Sequence, residues 1–198
     1  WELPRGRIQG MAREVEIKAR CADCDAVRRR LEALGASIVE SGFERNVCFD
    51  APDGRLREAD SLLRLREYNG ALLTFKGPRE RPTHGVKSRE EVEVAVDDFD
   101  AMVRILYALG FVKVWAYEKK REGWDLDGVK VCLDVLPTIG EYMEVEGTSE
   151  AEVMRVFEKL GVGAANITPR TYVEIFRNAI GATDWKLPDM VFENKEVR

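Results

Sequence analysis

Glu14-Val15-Glu16-Ile17-Lys18 is the stretch on which the fold of this chain turns. Successive side chains on a strand point to opposite faces. One face of this segment therefore carries Glu14, Glu16 and Lys18, and the other carries Val15 and Ile17. Two later stretches repeat the pattern: Glu91-Val92-Glu93-Val94 and Glu144-Val145-Glu146. Each is followed by a helical segment that opens on a capping residue and closes on Leu-Gly, from Asp23 to Gly35, from Asp97 to Gly110 and from Ser149 to Gly161. Asp and Ser satisfy the free N–H groups of a first turn, and glycine is favoured just past a helix end. Apolar residues recur at helical spacing inside each segment, as in Val27, Leu31 and Leu34, in Met102, Val103, Leu106 and Leu109, and in Val153, Val156, Phe157 and Leu160. A strand–helix unit thus occurs three times in one chain.

More strands are predicted between these units. Ile38 to Phe49 reads as one. Leu62 to Tyr68 and Ala71 to Lys76 flank Asn69-Gly70, and Val112 to Trp124 and Val129 to Leu136 meet across Asp127-Gly128. Both dipeptides favour the positive φ angles of a tight hairpin turn. A last helix is expected from about Arg170 to Ala179. Residues 78–88 form a loop bearing Pro and Gly, long enough to be functional. No linker splits residues 11–181, which read as a single α+β domain dominated by antiparallel strands. Residues 1–10 are set aside as an N-terminal extension and residues 182–198 as a tail of unassigned structure.

Charge falls on alternate residues in the other strands too. Arg64 and Arg66 share a face, as do Thr74 and Lys76, Arg89, Glu91 and Glu93, and Lys119 and Arg121. A single charged sheet face is ordinary where it meets water. Here six strands carry the pattern, and three helices need the apolar faces. If the sheet closes on itself, the charged faces turn inward and line a cavity. Unpartnered buried charge is costly, so such a cavity must hold water, metal or a polyanion. Carboxylates suit Mg2+ or Mn2+ through hard oxygen ligands. Guanidinium and ammonium groups suit phosphate oxygens. The combination fits a polyphosphate with its divalent cations.

Composition narrows the partners. The 198 residues carry 31 Lys and Arg against 36 Asp and Glu, a net charge of −5, which argues against a general nucleic-acid or membrane-surface binder. No apolar run is long enough for a membrane-spanning helix. Cys21-Ala22-Asp23-Cys24 sits at a helix start, but Cys48 and Cys132 are isolated, so no second pair supports a zinc or redox site. The single histidine, His84, falls in the 78–88 loop and reads as a surface residue. No phosphate-binding G-x-x-x-x-G-K-[ST] loop occurs. With no export signal recognised, a cytoplasmic location and reduced cysteines are expected.

The ordered run of motifs resembles the CYTH family, the triphosphate tunnel metalloenzymes. Glu14 to Lys18 is similar to that family's ExExK signature. Arg64-Leu65-Arg66, Phe75-Lys76-Gly77-Pro78, Arg89 to Glu93, Lys119-Lys120-Arg121, Asp134 and Glu144-Val145-Glu146 follow in the family's order. Thr171-Tyr172 resembles its C-terminal segment. The resemblance implies a closed eight-stranded antiparallel barrel with helices packed outside. It implies Glu14, Glu16, Glu144 and Glu146 as ligands of Mg2+ or Mn2+, with Asp134 beside them. Lys18, Arg64, Arg66, Lys76, Arg89, Lys119 and Arg121 would bind the triphosphate, with catalytic roles for Lys18, Lys119 and Arg121. Glu91 and Glu93 would orient the cations or hold a second metal. The run looks most like the class IV adenylyl cyclase branch, which converts ATP to 3′,5′-cyclic AMP and pyrophosphate. A thiamine or inorganic triphosphatase and a non-catalytic polyphosphate-binding module stand as alternatives. The expected partner is a nucleoside triphosphate or another triphosphate, with no nucleic acid and no membrane, and a homodimer is left open.

Overall fold

The computed structural model describes residues 9–80 and 86–193, with side chains from residue 15 onward. Eight strands form it: β1 (Gln9–Arg20), β2 (Ser37–Asp50), β3 (Leu62–Glu67), β4 (Ala71–Lys76), β5 (Lys87–Val96), β6 (Val112–Leu126), β7 (Val129–Leu136) and β8 (Gly140–Gly147). They close in the order β1-β5-β4-β3-β2-β6-β7-β8, every neighbouring pair antiparallel. The expected eight-stranded antiparallel barrel is therefore the fold. Both hairpin dipeptides turn as their residues predict, with φ of 48° and 124° at Asn69 and Gly70 and of 56° and 80° at Asp127 and Gly128.

Five α-helices lie outside the barrel: α1 (Cys24–Ala33), α2 (Arg55–Glu58), α3 (Phe99–Ala108), α4 (Glu150–Leu160) and α5 (Tyr172–Ala179). Asp23 and Ser149 cap α1 and α4 as expected. The cap of α3 is Asp98, whose carboxylate accepts from the Ala101 N–H, one residue beyond the expected Asp97. Helix α5 starts at Tyr172 rather than near Arg170, because Thr171 and Glu174 form a reciprocal capping box. Helix α2 has no amphipathic run to announce it. It is held from outside by Asp50, which accepts from the N–H groups of Ala51, Leu56 and Arg57 at 2.7, 2.9 and 3.0 Å.

The alternation within the strands divides the core from the bore. Val15, Ile17, Val131, Leu133, Met143 and Val145 face outward and are buried beneath α1 and α4, against Val27, Leu31, Val153, Val156, Phe157 and Leu160. A smaller cluster seats Phe99 and Leu106 of α3 on Phe49, Leu63 and Leu65. A third packs Tyr172 and Phe176 of α5 with Trp115, Tyr117, Tyr142 and Met190. Apolar burial on the outside is what drives the inward turn of the charged residues.

Two segments differ from the sequence reading. Strand β5 begins at Lys87, inside the stretch read as a loop, and β1 begins at Gln9, inside the segment set aside. The tail up to residue 193 is ordered against the barrel. Strand β7 pairs with β6 only from Lys120 onward, which leaves one edge of β6 open before that point. The tail satisfies that edge: the Met190 N–H donates to the Ala116 carbonyl, the Glu118 N–H donates to the Met190 carbonyl, and the Ala116 N–H donates to Asp189 Oδ1, each at 2.9 Å. His84 lies outside the described residues.

Candidate active site

The inward faces enclose a cavity of about 590 Å³. Its walls include Lys18, Arg64, Arg66, Lys76, Arg89, Lys119 and Arg121, together with Glu16, Glu91, Glu93, Glu144 and Glu146. Of the residues singled out from sequence, Glu14 and Asp134 complete the set. The backbone of Glu14 pairs with Arg89 across β1 and β5, and its side chain lies outside the described residues.

Glu16 and Glu146 are cross-strand partners between β1 and β8, and Lys18 pairs with Glu144 one step along. This register brings one carboxylate oxygen from each of Glu16, Glu144 and Glu146 to within 4.8 Å of one another. Cations hold the cluster together. Lys18 Nζ lies 2.8 Å from Glu144 and 3.8 Å from Glu16. Lys87 Nζ lies 3.2 Å from Glu16, and Arg121 contacts both Glu144 and Glu146. Burial works to raise the Glu16 carboxyl, but Lys18, Lys87 and Lys76 hold it at about 2 against the added repulsion of Glu144. Burial opposes ionisation of Glu144 too, and Lys18, Arg121 and Lys119 keep it well below the usual carboxylate range. Three ionised oxygen donors at this separation fit a hard divalent cation.

Asp134 is fully buried and already has its partners. Arg121 donates to it through Nε and a terminal nitrogen at 2.7 and 2.6 Å, Lys119 donates at 3.1 Å, and the Tyr172 hydroxyl donates at 2.9 Å. Asp134, expected beside the metal ligands, aims the two cations of β6, and Arg121 links it to Glu144. It does not belong to the carboxylate cluster among the described residues.

Across the bore, Lys76 pairs with Glu91 at 2.7 Å, and Thr74 Oγ1 donates to Glu93 at 2.6 Å. Both carboxylates are thus engaged with β4. Arg64 donates to the Tyr117 hydroxyl at 3.4 Å, and its Nε is buried with no hydrogen-bond partner.

Among the ionisable residues that sequence reasoning passed over are Glu44 and Lys87. Glu44 on β2 is fully buried, with Lys119, Arg121 and Arg66 at 3.4, 3.7 and 3.9 Å. Burial pushes its carboxyl up, and these cations overcome that and hold it at about 2. The alternation Glu44, Asn46, Cys48 was the available signal, masked by the apolar ends of the strand. Lys87 was read as loop. Burial and the repulsion of Lys18 bring its ammonium down to about 8, against the attraction of Glu16 and Glu144. The four cysteines are buried and free. No described helix is long and apolar enough to cross a membrane.

A closed barrel whose bore carries both signs of charge, with three carboxylates close enough to share one cation, defines a tunnel protein with a charged interior. The chain belongs to the CYTH domain family, whose profile matches residues 12–172. A provisionally named adenylate cyclase of Methanocaldococcus jannaschii is 30% identical over 172 residues, covering 82% of this chain and 97% of that protein. Adenylate cyclase CyaB of Aeromonas hydrophila is 27% identical over 188 residues, covering 88% and 94%. Among solved structures, a conserved protein of Pyrococcus furiosus superposes with a TM-score of 0.69 at 26% identity, covering 82% of this chain and 99% of that one. HpAC1 from Hippeastrum, described with a dominant triphosphatase activity, shares the fold at a TM-score of 0.66 and 20% identity, covering 86% and 97%.

Proposed function

We propose that this chain is a divalent-metal-dependent adenylyl cyclase that converts ATP to 3′,5′-cyclic AMP and pyrophosphate. The observation that carries the reading is the convergence of Glu16, Glu144 and Glu146 with Lys18, Lys119 and Arg121 in one bore. The adenylate cyclase names of the two relatives support it. Glu16, Glu144 and Glu146, with Glu14 by its position in the motif, are the proposed ligands of Mg2+ or Mn2+. When bound, the metal neutralises charge on the phosphate oxygens and favours ionisation of the attacking oxygen. Arg64, Arg66, Lys76 and Arg89 hold the triphosphate in line. Lys18, Lys119 and Arg121 stabilise charge as the bond between the α-phosphorus and the leaving pyrophosphate breaks and the ribose 3′ oxygen, its hydroxyl proton passing to solvent, bonds to that phosphorus. Asp134, Glu44 and Tyr172 position these cations. Glu91 and Glu93 orient Lys76 and the cation set.

The second reading is a triphosphatase, in which water attacks the terminal phosphorus. The same bore serves it, and the activity described for HpAC1 favours it. Product analysis decides between them. The chain is incubated with ATP, thiamine triphosphate or tripolyphosphate and Mg2+ or Mn2+. Cyclic AMP with pyrophosphate is the expected result. Orthophosphate as the main product replaces the cyclase by the triphosphatase, and no turnover with any substrate leaves a binding module.

A further inference from the structure

Arg79 lies on the cavity wall, yet its charge is not offered to the bore. The guanidinium is spent on two carboxylates. Its Nε donates to Asp60 at 2.9 Å, and a terminal nitrogen lies 2.7 Å from the same carboxylate. The two terminal nitrogens donate to the two oxygens of Glu174 at 3.1 and 3.2 Å. The Arg79 backbone N–H adds a bond to Asp60 at 3.0 Å. Only a guanidinium carries enough donors in a fixed plane to grip two carboxylates in this way.

Three parts of the chain meet at this residue. Asp60 belongs to the turn before β3, the strand of Arg64 and Arg66. Its φ of 53° is uncommon outside glycine, and the bonds from Arg79 help to hold it. Residues 77–80 follow Lys76 and are fixed to β5, through the Gly77 N–H to the Glu90 carbonyl and the Glu80 N–H to the Ser88 carbonyl, each at 2.9 Å. Glu174 closes the capping box of α5 by accepting from the Thr171 N–H at 2.6 Å. Between Thr171 and Glu174 stands Tyr172, whose hydroxyl donates to Asp134 and whose ring centre lies 4.0 Å from Lys18 Nζ.

We propose that Arg79 is a positioning residue for the reaction: it ties Glu174 to the walls that carry Arg64, Arg66 and Lys76, and so sets the start of α5 where Tyr172 meets Asp134 and Lys18. The proposal rests on the triphosphate reading above. The Arg79 side chain is 27% exposed, and an ion pair open to water contributes little stability by itself. Its effect belongs to geometry. A displaced Tyr172 leaves Asp134 and Lys18, and the cations they hold swing off the line of attack. Small misplacements of such groups are costly to turnover. A cation that bound phosphate directly would act on affinity instead.

Steady-state turnover of the full chain is measured in Mg2+ or Mn2+ with ATP, or with thiamine triphosphate or tripolyphosphate where ATP is not turned over. Arg79→Ala is expected to lower kcat about tenfold or more and to leave KM within about threefold. Arg79→Lys should recover little of that loss, since one ammonium cannot grip both carboxylates. The losses of Arg79→Ala and Tyr172→Phe should not multiply in the double variant, because both act through one hydroxyl. Glu174→Gln keeps an acceptor for the Thr171 N–H and gives up the ionic grip, so it should show the same fall in kcat. It stands in where circular dichroism finds Arg79→Ala unfolded. Wild-type kcat in these variants, a rise in KM alone, or losses that multiply overturns the positioning role and leaves the triphosphate reading standing. Full recovery of Arg79→Ala by added Asp60→Asn and Glu174→Gln also overturns it, since Arg79 would then serve only to mask their charge. No turnover of any of the three substrates by the wild type overturns both.

Discussion

Glu44 shows how far one buried carboxylate depends on its neighbours. Its side chain is 1% exposed, and only the cations of β3 and β6 keep it ionised. Its carboxyl titrates near 2 in the folded chain and near 4.5 when unfolded. The stability it contributes is therefore fully present above pH 4.5 and is lost as pH falls from there towards 2. A shift of that size corresponds to about 3 kcal/mol. Urea unfolding of the wild type and of Glu44→Gln between these pH values should show a steeper loss in the wild type, and parallel curves would take the effect away from Glu44. Glu146 makes a different case. At the edge of the carboxylate trio, it touches Arg121 at 3.5 Å and is half-buried. Glu146→Gln is expected to fold and to lose turnover at least about a hundredfold at saturating metal, about 3 kcal/mol in the transition state. Near wild-type turnover would remove Glu146 from the metal ligands.

At the scale of elements, what could be read from the sequence was whatever a short periodicity encodes. The strands betrayed their inner face because Glu14, Glu16 and Lys18, or Arg64 and Arg66, alternate with aliphatic residues, and the barrel follows once three helices claim the apolar side. The cluster Glu16, Glu144 and Glu146 was visible for the same reason, since each lies in such a run. Glu44 was not, because Ile38 to Phe49 mixes apolar and polar residues on both faces. Lys87 was hidden behind Pro and Gly, which mark the start of a loop better than its end. The tail was illegible because its contacts are to an open backbone edge of β6 and leave no period in its own sequence. Helix α5 was one turn-residue misplaced, since the capping box at Thr171 outweighs the helix propensity of Arg170. Thr171→Ala tests that cap: the hydroxyl accepts from the Glu174 N–H, while its own N–H donates to Glu174. Its loss should cost about 1 kcal/mol in urea unfolding. It should also weaken the hold of Tyr172 on Asp134, and an unchanged midpoint would mean that α5 is set by packing alone.

Over the whole molecule, a net charge of −5 coexists with a bore in which Lys18, Arg64, Arg66, Lys76, Arg89, Lys119 and Arg121, from five strands, face one cavity. Within the bore, Glu16, Glu44, Glu91, Asp134, Glu144 and Glu146 are each engaged by cations, while Glu93 accepts from the Thr74 hydroxyl. Glu44 and Asp134 supply part of the countercharge, and Glu16, Glu144 and Glu146 are drawn in opposite senses by Lys18, Arg121 and the metal they are proposed to bind. Once a divalent cation offsets Glu16, Glu144 and Glu146, the cations of the bore favour an anion of several charges that can touch several strands at once. A monophosphate reaches too few of them, while a metal-bound triphosphate spans the set. Affinity in Mg2+ should therefore climb steeply from AMP to ADP to ATP. Arg66, half-buried and 3.9 Å from Glu44, is only loosely held by a protein carboxylate, so its truncation isolates a ligand contact with little loss of internal pairing. Arg66→Ala is expected to cost about 1.5–3 kcal/mol in ATP affinity, about one to two decades, because the lost bond is charge-assisted. The loss for AMP should be smaller. Calorimetric titration with the three nucleotides measures both effects. Equal affinity across the series would mean that the bore does not count phosphates, and the triphosphate enzyme would have to be given up.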